Sequence, residues 1–130
     1  MEEKISVLCE LIEHSSQANK LLLSNAIAME NGEIAEAQKF LKEATELLKV
    51  MINDVFVEAK EICYETDEED DYDFSVLDLS KLLTVVTYNA SALISSLSNN
   101  DSEAVIEILK KKVVLAINAC VSLTSSILLN

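Results

Sequence analysis

Punctuation is almost missing from this chain. It contains one Gly, Gly32, and no Pro in 130 residues. Tight hairpins draw on Gly and Pro for their unusual backbone angles, and a β-sandwich needs such turns every few residues. That chemistry is absent. Half of the residues are apolar, which is too much to leave unburied in a disordered chain. The length fits one domain with a proper core. Long helices are what remains.

Charge narrows the possible partners. There are 23 acidic residues against ten basic ones, all Lys, for a net charge of −13. Binding a phosphate backbone needs a basic face. The one basic cluster is Lys110, Lys111 and Lys112, which reads as a solvated helix face, so no nucleic-acid partner is expected. The same balance opposes docking on anionic membranes. Cys9, Cys63 and Cys120 are odd in number and show no zinc-binding spacing. Met1-Glu2-Glu3 is acidic where a secretory leader would be basic. These features point to small reduced thiols in a cytoplasmic protein. The sequons at Asn89-Ala90-Ser91 and Asn100-Asp101-Ser102 are then chance matches.

Apolar residues recur at steps of three and four, which marks one face of a helix. The first helix spans about 2–30, with a stripe of Ile5, Leu8, Ile12, Ser15, Asn19, Leu22, Ala26 and Met29. Ser15 and Asn19 interrupt it. Asn31-Gly32 ends it, with Gly as a C-cap. The second helix spans about 33–64 and carries Ile34, Ala37, Leu41, Ala44, Leu48, Met51, Val55, Ala59 and Ile62, widened by Phe40 and Leu47. The third spans about 76–98, opened by a capping box of Ser75 and Asp78. Its stripe is Leu79, Leu82, Leu83, Val86, Ala90, Leu93 and Leu97. A turn at Asn99-Asn100-Asp101 follows, with Asn100 and Glu103 as a second capping box. The fourth helix spans about 102–128, with Ile106, Leu109, Val113, Ala116, Cys120, Leu123 and Ile127.

Short loops make sequential helices antiparallel neighbours. The expected fold is therefore all-α: an antiparallel up-down-up-down four-helix bundle of two long helical hairpins, forming a single helical domain over 1–130. Hairpin 1 covers 2–64, an acidic loop covers 65–74, and hairpin 2 covers 75–129. Each helix is roughly 35–45 Å long at 1.5 Å per residue.

The charge is unevenly divided along the chain. Residues 1–66 carry −7, residues 67–73 carry −6, and residues 74–130 carry zero. No charged residue lies between Leu82 and Asn100, or between Val113 and Asn130. A helix in a water-exposed bundle normally shows Glu and Lys outside. Here the outer face holds Thr84, Thr87, Ser91, Ser95 and Ser98 on the third helix, with Asn118, Ser122 and Ser125 on the fourth. Val85, Tyr88, Ala92, Leu115 and Ala119 flank it. One interpretation is a neutral hydrated surface. The sharper one is a docking face, because neutral side chains desolvate cheaply and interface cores are depleted of charge. The candidate partner-binding residues are Thr84, Val85, Tyr88, Ser91, Ala92, Ser95, Leu115, Ala119 and Ser122. The partner is a protein, either an amphipathic helix laid in a groove or a second copy of the chain. The uncharged spans approach the roughly 20 residues that cross a bilayer. Asn89, Asn118 and the many Ser and Thr keep their apolar density low, so a membrane span is not expected.

Catalytic and metal chemistry find little support. His14 is the only histidine and lies off the main stripe. It is about 140° round the helix from Cys9. Asp67, Glu69, Asp71, Asp73, Ser75 and Asp78 fall at the offsets of a twelve-residue calcium loop. However, Tyr72 stands where that loop needs Gly, and Asp78 where it needs a bidentate Glu. The run reads as a solvated linker. Di-metal bundles use Glu-x-x-His, which does not occur. No catalytic, cofactor-binding or metal-binding residue is expected, and the chain reads as a non-enzyme.

Leu11-Ile12-x-x-Ser15-x-Gln17-Ala18, Leu21, Gly32-Glu33-Ile34-x-x-Ala37, Leu41 and Leu48 resemble the first hairpin of the IIA component of lactose/cellobiose-type sugar phosphotransferase systems, over about residues 8–52. In that family a histidine on the third helix carries the phosphoryl group. No histidine follows His14, and the stretch around Asp78–Thr84 offers only Asp78. The resemblance thus implies a degenerate regulatory relative without phosphocarrier activity. Ala18-x-x-Leu21-Leu22, Gly32-Glu33-Ile34-x-x-Ala37 and Asn100-Asp101-x-x-Ala104 resemble the hairpin turns of flagellar export chaperones, which share the four-helix layout. That resemblance implies a chaperone-like binding role.

Overall fold

A computed structural model describes residues 2–63 and 78–129, with the side chains of the last three residues of the fourth helix excepted. Four helices account for nearly all of them, and no strand occurs among the described residues. They are α1 (Glu2–Glu30), α2 (34–63), α3 (Leu79–Ser98) and α4 (Glu103–Leu129). The acidic loop, Ser75 and the greater part of the calcium-loop pattern lie outside the described residues.

Both turns stop a helix by the same device. Gly32 sits at φ +73°, its N–H meets Met29 O at 3.2 Å, and Glu33 N–H meets Ala28 O at 2.9 Å. This paired pattern is a Schellman motif, which satisfies carbonyls that the helix end would orphan. Asn100 repeats it at φ 54°, with Asn100 N–H to Leu97 O at 3.4 Å and Asp101 N–H to Ser96 O at 3.0 Å. Asn100 therefore closes α3 rather than opening α4 in a capping box with Glu103. The cap of α4 is Ser102, whose hydroxyl accepts Val105 N–H at 3.5 Å. The other half of the expected capping box at α3, Ser75, lies outside the described residues, and of that pair only Asp78 is described. It is itself the N-cap of α3, and its carboxylate accepts Lys81 N–H at 3.0 Å.

α2 departs from its regular spacing. It is α-helical over Ile34–Val50, π-helical over Met51–Val55, and α-helical again over Phe56–Cys63. A π-turn accommodates one extra residue and rotates everything after it. Upstream, Leu48 and Met51 are buried as the spacing predicts. Downstream, Phe56 and Cys63 are buried while Ile62 is only half-buried. Val55 and Ala59 are buried as the spacing predicts, so the π-turn widens the apolar face with Phe56 and shifts only its end, from Ile62 to Cys63.

One core draws on all four helices. Leu8, Leu11 and Ala18 of α1 meet Leu48, Met51, Val55 and Phe56 of α2, the Leu79–Leu97 stripe of α3, and Val113, Ala116, Ile117 and Cys120 of α4. α3 packs along both α1 and α4, α1 packs along α2, and the Phe56–Cys63 stretch of α2 packs against α4. The α3 stripe is buried throughout, as its spacing predicts.

The α1–α2 turn end differs from expectation. Ala26, Met29, Ile34 and Leu41 were predicted in the stripe, yet all are exposed. The residues buried there are Ala28, Ala37 and Ala44. Their small side chains form the seam between the two helices, and Asn25 bridges it by donating to Ala37 O at 2.7 Å. The larger side chains flank this seam instead of filling it. Lys110 is a second correction, because it is buried rather than solvated. Its stem lies in the protein, with its ammonium 3.7 Å from Glu107.

The two Schellman residues predict opposite outcomes. Gly32→Ala places a Cβ at φ +73° in open space, so the cost is the backbone term alone, about 1 kcal/mol. Asn100→Gly relieves the same term and should stabilise by a few tenths to about 1 kcal/mol. Urea unfolding followed by far-UV circular dichroism measures both. A destabilised Asn100→Gly would contradict the assignment.

Candidate functional site

The uncharged surface forms part of a groove between α1 and α3. The groove has a volume of 640 Å³ and is lined by Ser16, Asn19, Lys20, Leu23, Ser24 and Ile27 of α1, with Thr84, Thr87, Tyr88 and Ser91 of α3. Its exposed apolar walls are Leu23 and Ile27, which are 51% and 60% exposed. Tyr88 stands out at its rim, 74% exposed. Lys20 is the one charged side chain in this lining.

Asn19 holds the two helices in register. Its side-chain carbonyl accepts from the Ser80 hydroxyl. Its amide donates to the Thr84 hydroxyl at 3.3 Å. Thr84 in turn donates to Ser80 O at 3.0 Å, and Thr87 donates to Leu83 O at 2.9 Å. Serine and threonine hydroxyls return to a carbonyl of their own helix in this way when nothing outside claims them. Asn19, which interrupted the α1 stripe, is thus a link between the two hairpins.

The nine candidate residues separate. Thr84, Tyr88 and Ser91 belong to the groove. Ser95 and Ser122 are exposed outside its lining, and Ala92 and Leu115 are half-buried. Val85 and Ala119 are half-buried and pack against the core. The α1 wall was missing from the candidate set. Its signal was present, because α1 carries no acid from His14 to Met29 and its one Lys there is Lys20. Charge depletion on α1 mirrors that on α3.

No group of three or more His, Cys, Asp or Glu is placed to hold a metal ion among the described residues. His14 Nδ1 lies 2.9 Å from Glu10 O on its own helix. Burial pushes the Cys63 thiol up to about 11, although Lys110 and Lys4 pull the other way. Burial alone pushes Cys120 up to about 12. Both are protonated at neutral pH and are poor nucleophiles. No helix among the described residues is long and apolar enough to cross a membrane. What this surface offers is neutral hydrogen bonding and apolar contact. No family model, curated protein or solved structure matches the chain.

The raised thiols imply a pH response. An acid held protonated by the fold costs stability once the unfolded chain ionises, so the effect begins near pH 9 and grows until the folded pKa is reached. In that window each such thiol costs up to about 1.4 kcal/mol per pH unit. Chemical denaturation from pH 7 to 11 should show Cys120→Ala losing stability less steeply than the parent chain. Identical slopes would refute a buried, proton-holding Cys120.

Proposed function

We propose that this chain is a non-enzymatic helical-bundle protein, adaptor- or chaperone-like, that binds a partner helix or itself through the uncharged face of α3 and α4. The proposal includes a single domain, the antiparallel up-down-up-down arrangement of its two hairpins, and a cytoplasmic setting for its three reduced thiols. The α1 wall of the groove extends the docking face.

One observation carries the proposal. In a chain with net charge −13, a groove with Leu23 and Ile27 on one wall and an exposed Tyr88 on the other has no carboxylate in its lining. Desolvating a charge without a partner for it is expensive, whereas desolvating hydroxyls and aliphatic carbon is not. Surfaces meant only for water gain solubility from mixed charges. A surface meant to be covered gains from having none, and aromatic residues are enriched at such places.

Photo-crosslinking tests the docking role whatever the partner is. A photoreactive residue at Ser95 or Ser122, both exposed, should give discrete adducts in cells. The same residue at Glu46, on the charged outside of α2, should not. Equal labelling at all three positions, or none at any, would sink the proposal. In addition, Ser95→Glu should abolish the adducts formed from Ser122 while leaving helicity unchanged. A charge placed in an interface core costs several kcal/mol, but at an exposed helix position less than about 0.5 kcal/mol.

A further inference from the structure

We infer that the π-turn at Met51–Val55 is a phase adapter: it holds one residue more than the packing of α2 uses, and so sets which side chains of the Phe56–Cys63 stretch face the core. The buried residues before it are Ala37, Ala44, Leu48 and Met51, in steps of seven, four and three. Those after it are Phe56, Ala59 and Cys63, in steps of three and four. Each series is one face of a helix. The step that joins them, Met51 to Phe56, is five residues, which in an α-helix would set the two about 140° apart. One residue fewer across that gap gives threes and fours throughout.

The backbone shows where the surplus goes. Phe56 N–H bonds Met51 O, five residues back, where an α-helix would reach back four. Val55 follows Met51 by the regular four and is buried, and Phe56 directly after it is buried as well. Two residues thus share what would be one core position, while Asn53 and Asp54 stay outside.

Glu58 shows what the adapter achieves. A plain α-helix through this region would turn every later residue by about 100°. Val55, Glu58 and Ile62 would then lie where Phe56, Ala59 and Cys63 lie now. Two of those exchanges are apolar for apolar. The third puts a carboxylate in the place of Ala59, which is fully buried, and a desolvated carboxylate without a partner is costly. The π-turn also falls where the neighbours of α2 change. Ile34–Val50 packs along α1, whereas Phe56–Cys63 packs against α4 as well as α1, and Lys60 donates to the Asn118 side chain of α4 at 3.1 Å. The adapter lets one continuous helix present a separate phase to each set of neighbours.

The test removes the surplus residue from the full chain. Val55→Ala and deletion of Val55 both take away the packing of Val55, but only the deletion turns the π-turn into plain α-helix with Phe56, Ala59 and Cys63 in place. Urea unfolding followed by circular dichroism, and thiol labelling located at Cys63 by mass after digestion, read the result. The deletion should unfold at a midpoint no lower than Val55→Ala, with Cys63 as slow to label as in the parent, since a buried thiol reacts only when the fold opens. Tyr88 is the control. It is exposed in α3, which has no π-turn to absorb a change of length. Deleting it swings Ala90, Leu93 and Leu97 out of phase by about 100°, and should lower the midpoint far below both Val55 variants or abolish the cooperative transition. A Val55 deletion that unfolds below Val55→Ala, or that opens Cys63 to the reagent, overturns the inference. So does a Tyr88 deletion as stable as the Val55 deletion, because any helix of the bundle would then absorb a lost residue.

Discussion

The burial of α3 on two sides governs the rest of the structure. α3 packs along α1 on one flank and α4 on the other, and it buries Leu79, Leu82, Leu83, Val86, Ala90, Leu93 and Leu97. Fully burying one leucine is worth about 1.5–3 kcal/mol, so this stripe exceeds any single polar contact in the molecule. It also brings the two hairpins together. Once α3 lies against α1, the Asn19 amide must find partners, and Ser80 and Thr84 supply them. The polar link fixes the register that the apolar contact leaves loose, because buried polar groups tolerate mispairing far less than apolar surface does.

The same geometry determines what is left for function. With two flanks covered, α3 exposes only a narrow strip, including Thr84, Tyr88, Ser91 and Ser95. None of these carries charge. α1 contributes a second strip beside it that carries no acid and one cation, Lys20, and the groove follows from laying one against the other. The groove is therefore a product of packing. Neither helix has it alone.

Much of this was legible in the sequence because α-helices announce themselves by spacing and end at identifiable residues. Gly32 marked the first turn since no other residue type adopts its backbone angle so cheaply. The α3 stripe was legible because its large aliphatic residues recur without interruption. Three features were not. The π-turn at Met51–Val55 left no mark in a stripe of three-four steps, because Val55 and Phe56 are both apolar and either one satisfies the pattern. The α1–α2 turn end misled because spacing shows which residues share a face but not whether anything large enough covers it. Ala28, Ala37 and Ala44 formed the seam, leaving Met29, Ile34 and Leu41 exposed. The groove was only half legible because its α1 wall is a short acid-free run around Lys20 inside an otherwise acidic hairpin, and only packing sets it beside α3.

Segregated charge reconciles high apolar content with an uncovered neutral face. Evenly spread, 23 acids would have covered every helix and made any close approach costly. All but four of them, Asp78, Asp101, Glu103 and Glu107, lie in residues 1–73, and together they provide net repulsion at long range, which disfavours unspecific association. The strips of α1 and α3 that line the groove carry no acid. Under the docking role proposed above, repulsion elsewhere on the chain would supply part of the selectivity, and the groove would need only modest attraction of its own.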